Sequence, residues 1–138
     1  MAHKDYSGTP LPKKLGIKEG SRVGLVSAPP GFEATLDPLP TGIDIAAQIR
    51  GPLDVIVFFT TRRIDLEKRF AELATALDPD GRLWVAWPKK AAGVDTDLDF
   101  ETVQRIGLNA KLVDNKSASV DDLFQGLQFV YRLKDRPK

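Results

Sequence analysis

The 138-residue chain has no cysteine, one histidine and one methionine, and aromatic residues make up only 8% of it. Without thiols there can be no disulfide, thiolate nucleophile, iron–sulfur cluster or zinc–thiolate site. The one histidine, His3, falls in a polar N-terminal stretch, which leaves histidine-based general-base chemistry and multi-histidine metal sites without support. No apolar run approaches the roughly 20 residues that cross a bilayer. The opening MAHKDY lacks the hydrophobic segment of a secretory signal. A charge surplus is missing too: 20 Lys and Arg against 19 Asp and Glu leave a net charge of +1. Any electrostatic preference must therefore be local. The expectation is a cytoplasmic protein that engages neither membrane nor nucleic acid.

The apolar fraction of 42% is close to that of ordinary globular domains. A domain of this length buries roughly 70% of its unfolded surface and needs no staples. Residues 1–12 read as an N-terminal arm and 13–138 as one domain. PLPKKLG (10–16) holds a short helical turn, started by proline and stopped by glycine.

RVGLVS (22–27) reads as a short buried strand cut off by the two prolines of APPG (28–31). Residues 32–36 hold one or two helical turns. Ile43, Ile45, Ala47 and Ile49 alternate with polar or small neighbours, which predicts a half-buried strand over 43–50. LDVIVFF (53–59) is continuously apolar, as a central parallel strand covered on both faces must be. Leu66, Phe70, Leu73 and Leu77 then form one helical stripe, with Thr60 or Thr61 as N-cap and DPDG (78–81) as the stop.

RLWVAW (82–87) is the next buried strand, ending in the basic loop 88–93. Phe100, Val103 and Ile106 mark a second helix, capped by Asp97 or Asp99 and ended by Gly107. A further strand starts at 110–113. In the last strand, Leu127, Phe129, Tyr131 and Leu133 alternate with Gln128, Val130, Arg132 and Lys134. The connection over 114–126 is short for a crossover helix, so the last strand is expected to be antiparallel. The fold class is three-layer α/β, a mostly parallel sheet of about six strands with helices on its faces.

LGIKEGSRVGLV (15–26), LDVIVFF and LATALDPDGRLWVAWPKK (73–90) together resemble the S-adenosylmethionine-dependent methyltransferase fold, antiparallel last strand included. That resemblance implies an acidic residue in strand one and a glycine-rich cofactor loop after it. Here Leu25 stands in place of the acid, Ser27 and Pro29 in place of two glycines, and only Gly31 remains. The acid implied at the end of strand two could be Asp44, which arrives early. Because proline removes an N–H and cannot take the positive φ of glycine, this reading disfavours S-adenosylmethionine as cofactor. YSGTPLPKKLGIK (6–18), WVAWPKK (84–90) and VDNK (113–116) are similar to a family of small bacterial proteins of unknown function.

Ligands of open α/β sheets sit beyond the carboxyl ends of the strands. By sequence those ends carry Ser27, Thr60, Thr61, Arg62, Lys89, Lys90, Asn115 and Lys116. A rim of cations, hydroxyls and one amide suits a small anionic or nucleotide-like ligand. DTDLD (95–99) has the opening of a calcium loop, but Phe100 and Ile106 occupy the positions of its glycine and glutamate, so helix capping accounts for these acids better. Trp84 and Trp87 point to opposite faces of their strand and cannot form one stacking platform. With no nucleophile–base pair in view, the expectation is a non-catalytic binding or regulatory module. A small methyltransferase with an atypical cofactor loop and a protein–protein interaction domain stand as alternatives.

Overall fold

The computed structural model describes residues 9–132; His3, most of the N-terminal arm and the Leu133 end of the last strand lie outside them. Six strands form one sheet in the order β2-β1-β3-β4-β6-β5. They span β1 Arg22–Val26, β2 Asp44–Ile45, β3 Leu53–Phe59, β4 Leu77–Pro88, β5 Leu112–Ser119 and β6 Phe124–Tyr131. β1 pairs in parallel with β2 and β3, and β3 with β4, while β6 runs antiparallel to both β4 and β5. The sheet order reverses at β1, so the gap between β1 and β3 is the switch point where the carboxyl ends part.

β3 is apolar throughout because both of its faces are covered. Ile56 and Phe58 enter one core with Leu83, Val85, Trp87, Leu127 and Phe129. Val55, Val57 and Phe59 enter the other with Trp84 and Ala86. The first core is closed by α3 (Arg63–Ala76), through Leu66, Phe70 and Leu73, and by α4 (Phe100–Asn109), through Val103 and Ile106. The second is closed by two short helices, α1 (Leu11–Leu15) and α2 (Phe32–Thr35), through Leu15, Phe32 and Leu36. Trp84 and Trp87 do lie on opposite faces. Trp84 is fully buried and donates its indole N–H to the Leu15 carbonyl at 3.0 Å.

Several boundaries differ from the sequence reading. The strand predicted over 43–50 pairs only at Asp44 and Ile45. Beyond them Ile49 leaves the ladder to pack its Cδ1 beside Gly24. α3 stops at Ala76, so Leu77, expected in the helical stripe, instead opens β4, and DPDG lies within that strand and opens no loop. The Leu53–Leu77 pair and the Val55–Arg82 pair bracket it, so the four residues bulge out of a continuous strand, and Asp78 Oδ1 accepts the Asp80 N–H at 2.9 Å. The cap of α3 is Arg62, whose side chain makes no capping bond. α4 is capped by Asp99, whose Oδ1 accepts the Thr102 N–H at 2.8 Å. Gly107 does not end α4; it lies inside the helix, where a Cβ would run into the Phe129 ring. β5 continues to Ser119, so 114–119 is strand and a tight turn leads into β6. No helix of the described residues is long and apolar enough to cross a membrane.

Candidate functional site

A cavity of about 370 Å3 opens at the carboxyl ends of β1 and β3, within the size range of small-molecule sites. Ser27 leaves β1, Phe58, Phe59, Thr60 and Thr61 leave β3, and Asp65, Lys68 and Arg69 descend from the first turns of α3. Phe124, at the start of β6, closes the wall. The phenyl rings form an edge-to-face row, Phe32–Phe59 at 4.7 Å and Phe59–Phe124 at 5.1 Å between centroids. Arg69 lies 5.7 Å above the Phe58 ring and bonds Glu72 at 3.2 Å. The site therefore offers an apolar wall, hydroxyls and charges of both signs.

The loop after β1 carries the geometry that glycines normally supply. Ser27 sits in the left-handed region at φ 57° and Gly31 at φ 83°. At Gly31 nothing lies within 4 Å of where a Cβ would project, so the backbone is open to an approaching group. A left-handed non-glycine residue costs of order 1–3 kcal/mol, and such strain concentrates at functional sites. The turn expected to fail for want of glycine is thus made by serine.

The eight residues singled out from sequence divide among three places. Ser27, Thr60 and Thr61 line the cavity. Arg62 stands at its edge, ion-paired with Asp95 at 2.9 Å, a contact that raises its pKa chiefly through the hydrogen bond. Lys89 and Lys90 line a neighbouring cavity beyond β4. Asn115 and Lys116 belong to the middle of β5. The Asn115 Oδ1 accepts from Gln128 at 2.8 Å, and Lys116 Nζ donates to the Lys14 carbonyl at 2.7 Å. Burial, with Arg82 and Lys14 nearby, lowers the Lys116 pKa. One shared rim of all eight does not exist, because β5 runs on past 114–117 and turns Lys116 across the sheet toward α1.

Asp44 opens β2 instead of closing it. It pairs with Arg22 at 3.3 Å, at the edge away from the cavity. The acidic groups at the far end of β2 are Glu33 and Asp37, beside Ile45 in a separate surface cavity. Asp65, Lys68 and Arg69 were missed from sequence. Their signal is the i, i+3, i+4 spacing, which sets them on one face of the helix that leaves β3. The DTDLD segment binds the same region together. Asp95 pairs with Arg62, Thr96 Oγ1 donates to the Thr61 carbonyl at 2.7 Å, and Asp97 Oδ1 accepts the Arg63 N–H at 2.7 Å. Among the described residues no group of three or more metal-ligating side chains is assembled.

No family model and no curated protein sequence matches the chain. Solved structures do. A Sulfolobus solfataricus protein assigned as a type 11 methyltransferase aligns over 93% of this chain and 93% of its own, at 14% identity and a TM-score of 0.64. The ribosomal protein L11 methylase of Lactobacillus delbrueckii subsp. bulgaricus covers 96% of this chain and 82% of its own, at 15% identity and 0.63. The magnesium protoporphyrin IX methyltransferase of Synechocystis, with S-adenosylmethionine bound, covers 88% and 74%, at 10% identity and 0.57. These likenesses show a methyltransferase-like α/β fold. They also correct two expectations, the non-catalytic binding module and the disfavoured S-adenosylmethionine. The first rested on the missing nucleophile–base pair as well as the glycine-poor loop and the second on that loop, and solved structures of this architecture include one with S-adenosylmethionine bound.

Proposed function

We propose that the chain is a small S-adenosylmethionine-dependent methyltransferase whose cofactor crevice is the cavity between β1 and β3. The observation that carries the reading is the pairing of left-handed Ser27 and open Gly31 with a cavity of matching chemistry. The cofactor joins an aromatic base, a hydroxylated sugar and a zwitterionic amino-acid tail. The Phe59 and Phe124 wall suits the base, the Ser27, Thr60 and Thr61 hydroxyls suit the sugar, and Asp65 with Lys68 or Arg69 suits the tail. When bound, the cofactor supplies an activated methyl group on a sulfonium. The chain's own residues hold and orient it and keep water from the apolar side. A cytoplasmic setting, and kinship with the small bacterial proteins that share segments 6–18, 84–90 and 113–116, belong to the same proposal.

Thermal melting tests it. A ligand at 100 times its dissociation constant stabilises by about 2.7 kcal/mol. S-adenosylmethionine and its demethylated product should both raise the melting temperature, and ATP and inorganic phosphate should not. A melt unmoved by either form of the cofactor would overturn the assignment.

A further inference from the structure

A second cavity, of about 450 Å3, lies beside the first beyond the end of β4. Neighbouring residues link the two. Phe124 lines one and Gln125 the other, and Thr96 of the second cavity donates to the Thr61 carbonyl of the first. Trp87 forms its buried floor, and Val94 and Phe100 remain 41% and 45% exposed at its mouth, large apolar groups left uncovered. Lys89 and Lys90 add two cations. Lys89 Nζ is fixed by Ser119 Oγ at 2.7 Å and forms no ion pair among the described residues, whereas Lys90 is near enough to Asp99 to help lower that carboxyl's pKa. The one carboxylate in the wall, Asp99, has an oxygen committed to the Thr102 N–H.

We infer that this cavity takes a small apolar carboxylate, with its hydrocarbon part on Trp87, Val94 and Phe100 and its carboxylate on Lys89, and that this molecule is the methyl acceptor. The role as acceptor rests on the methyltransferase reading. The carboxylate class also fits a crevice whose described residues include neither histidine nor cysteine. A carboxylate oxygen is already ionised. Its lone pair forms the new O–CH3 bond as the S–CH3 bond breaks and its electron pair stays on sulfur. An anion and a sulfonium become a neutral ester and a neutral thioether, and no proton has to be removed.

Calorimetric titration with 3-phenylpropionate, 3-phenylpropan-1-ol and 3-phenylpropan-1-amine tests the site on the full chain. The acid should bind at least tenfold more tightly than the alcohol or the amine. Lys89→Ala should reduce the acid to the level of the alcohol, Lys89→Arg should restore it, and Phe100→Ala should weaken acid and alcohol alike. Equal or tighter binding of the amine, no binding of the acid, or an affinity for the acid unchanged by Lys89→Ala would each overturn the inference. Mass spectrometry should detect methyl 3-phenylpropionate when S-adenosylmethionine is added, and bound acid that is never esterified would remove the acceptor role. Binding of the acid without binding of S-adenosylmethionine would defeat the methyltransferase reading and leave an anion site. The reverse result would defeat the present inference alone.

Discussion

The Asp97 carboxylate caps a helix to which it does not belong. Its Oδ1 accepts the Arg63 N–H at 2.7 Å, across a separation of 34 residues, and so serves the first turn of α3 where the N-cap residue Arg62 provides no side-chain bond. Asp97→Ala should therefore cost about 1 kcal/mol, the usual loss for a helix cap. Asp95→Ala, which breaks only the exposed Arg62 pair, should cost less than about 0.5 kcal/mol. Urea denaturation of the two variants checks the ranking, and equal losses would count against the remote cap.

Gly107→Ala reverses the rule for glycine in a helix. At an open position the exchange gains about 1 kcal/mol of helix propensity. Here the added Cβ would meet the Phe129 ring, which is buried and edge-on to Phe70 at 5.3 Å. Overpacking of that kind costs typically 1–3 kcal/mol. Set against the propensity gain, chemical denaturation should show a net loss of up to about 2 kcal/mol, and a gain would mean the ring moves aside freely.

Ser27→Gly tests the left-handed turn beside the proposed cofactor crevice. Glycine takes positive φ without the penalty of about 1–2 kcal/mol that an L-residue bears, though its looser unfolded chain returns roughly 0.5–1 kcal/mol of that. The variant should be more stable by about 0.5–1 kcal/mol and should keep its thermal response to S-adenosylmethionine. Ser27→Val should lose stability. A destabilised glycine variant would show that the serine side chain, and not the backbone angle, matters.

Lys68→Ala separates binding from folding. The side chain is exposed on α3 and lines the cavity, so stability should stay within about 0.5 kcal/mol of the parent. On the proposed reading with Lys68 holding the cofactor's carboxylate, losing that charge-assisted bond should weaken S-adenosylmethionine about tenfold, taking such a bond as roughly 1.5 kcal/mol. Calorimetry with the intact cofactor reads the change, and an unaltered affinity would place the cofactor's tail elsewhere.

Tyr131 provides the pH dependence. Its hydroxyl donates to the Ala74 carbonyl at 2.6 Å, and burial raises its pKa above the ordinary 10.0. The unfolded chain then releases this proton first. The stabilisation is complete below pH 10 and is lost as the pH rises through the folded-state value. Tyr131→Phe should cost about 0.5–1.5 kcal/mol at neutral pH, and the gap from the parent should narrow above pH 10. A gap that stays constant with pH would refute the linkage.

Local pattern was enough for the architecture. The continuous apolar run at 53–59, the stripe of Leu66, Phe70 and Leu73, and the alternation at Leu127 and Phe129 each record which faces are covered, because burial selects side chains at the period of the element. The antiparallel last strand followed from the length of the segment before it. Local pattern also marked Ser27, Thr60 and Thr61 at strand ends. Tertiary structure alone decided which charges join them. Asp65, Lys68 and Arg69 reach the cavity because α3 folds back along β3, whereas Lys116 follows the register shift after Asp114 in β5 and donates to the Lys14 carbonyl. Nor could the residue types at 27–31 reveal that Ser27 adopts a left-handed angle. A backbone angle of that kind is held by the packing on either side of the turn, and no propensity of serine encodes it.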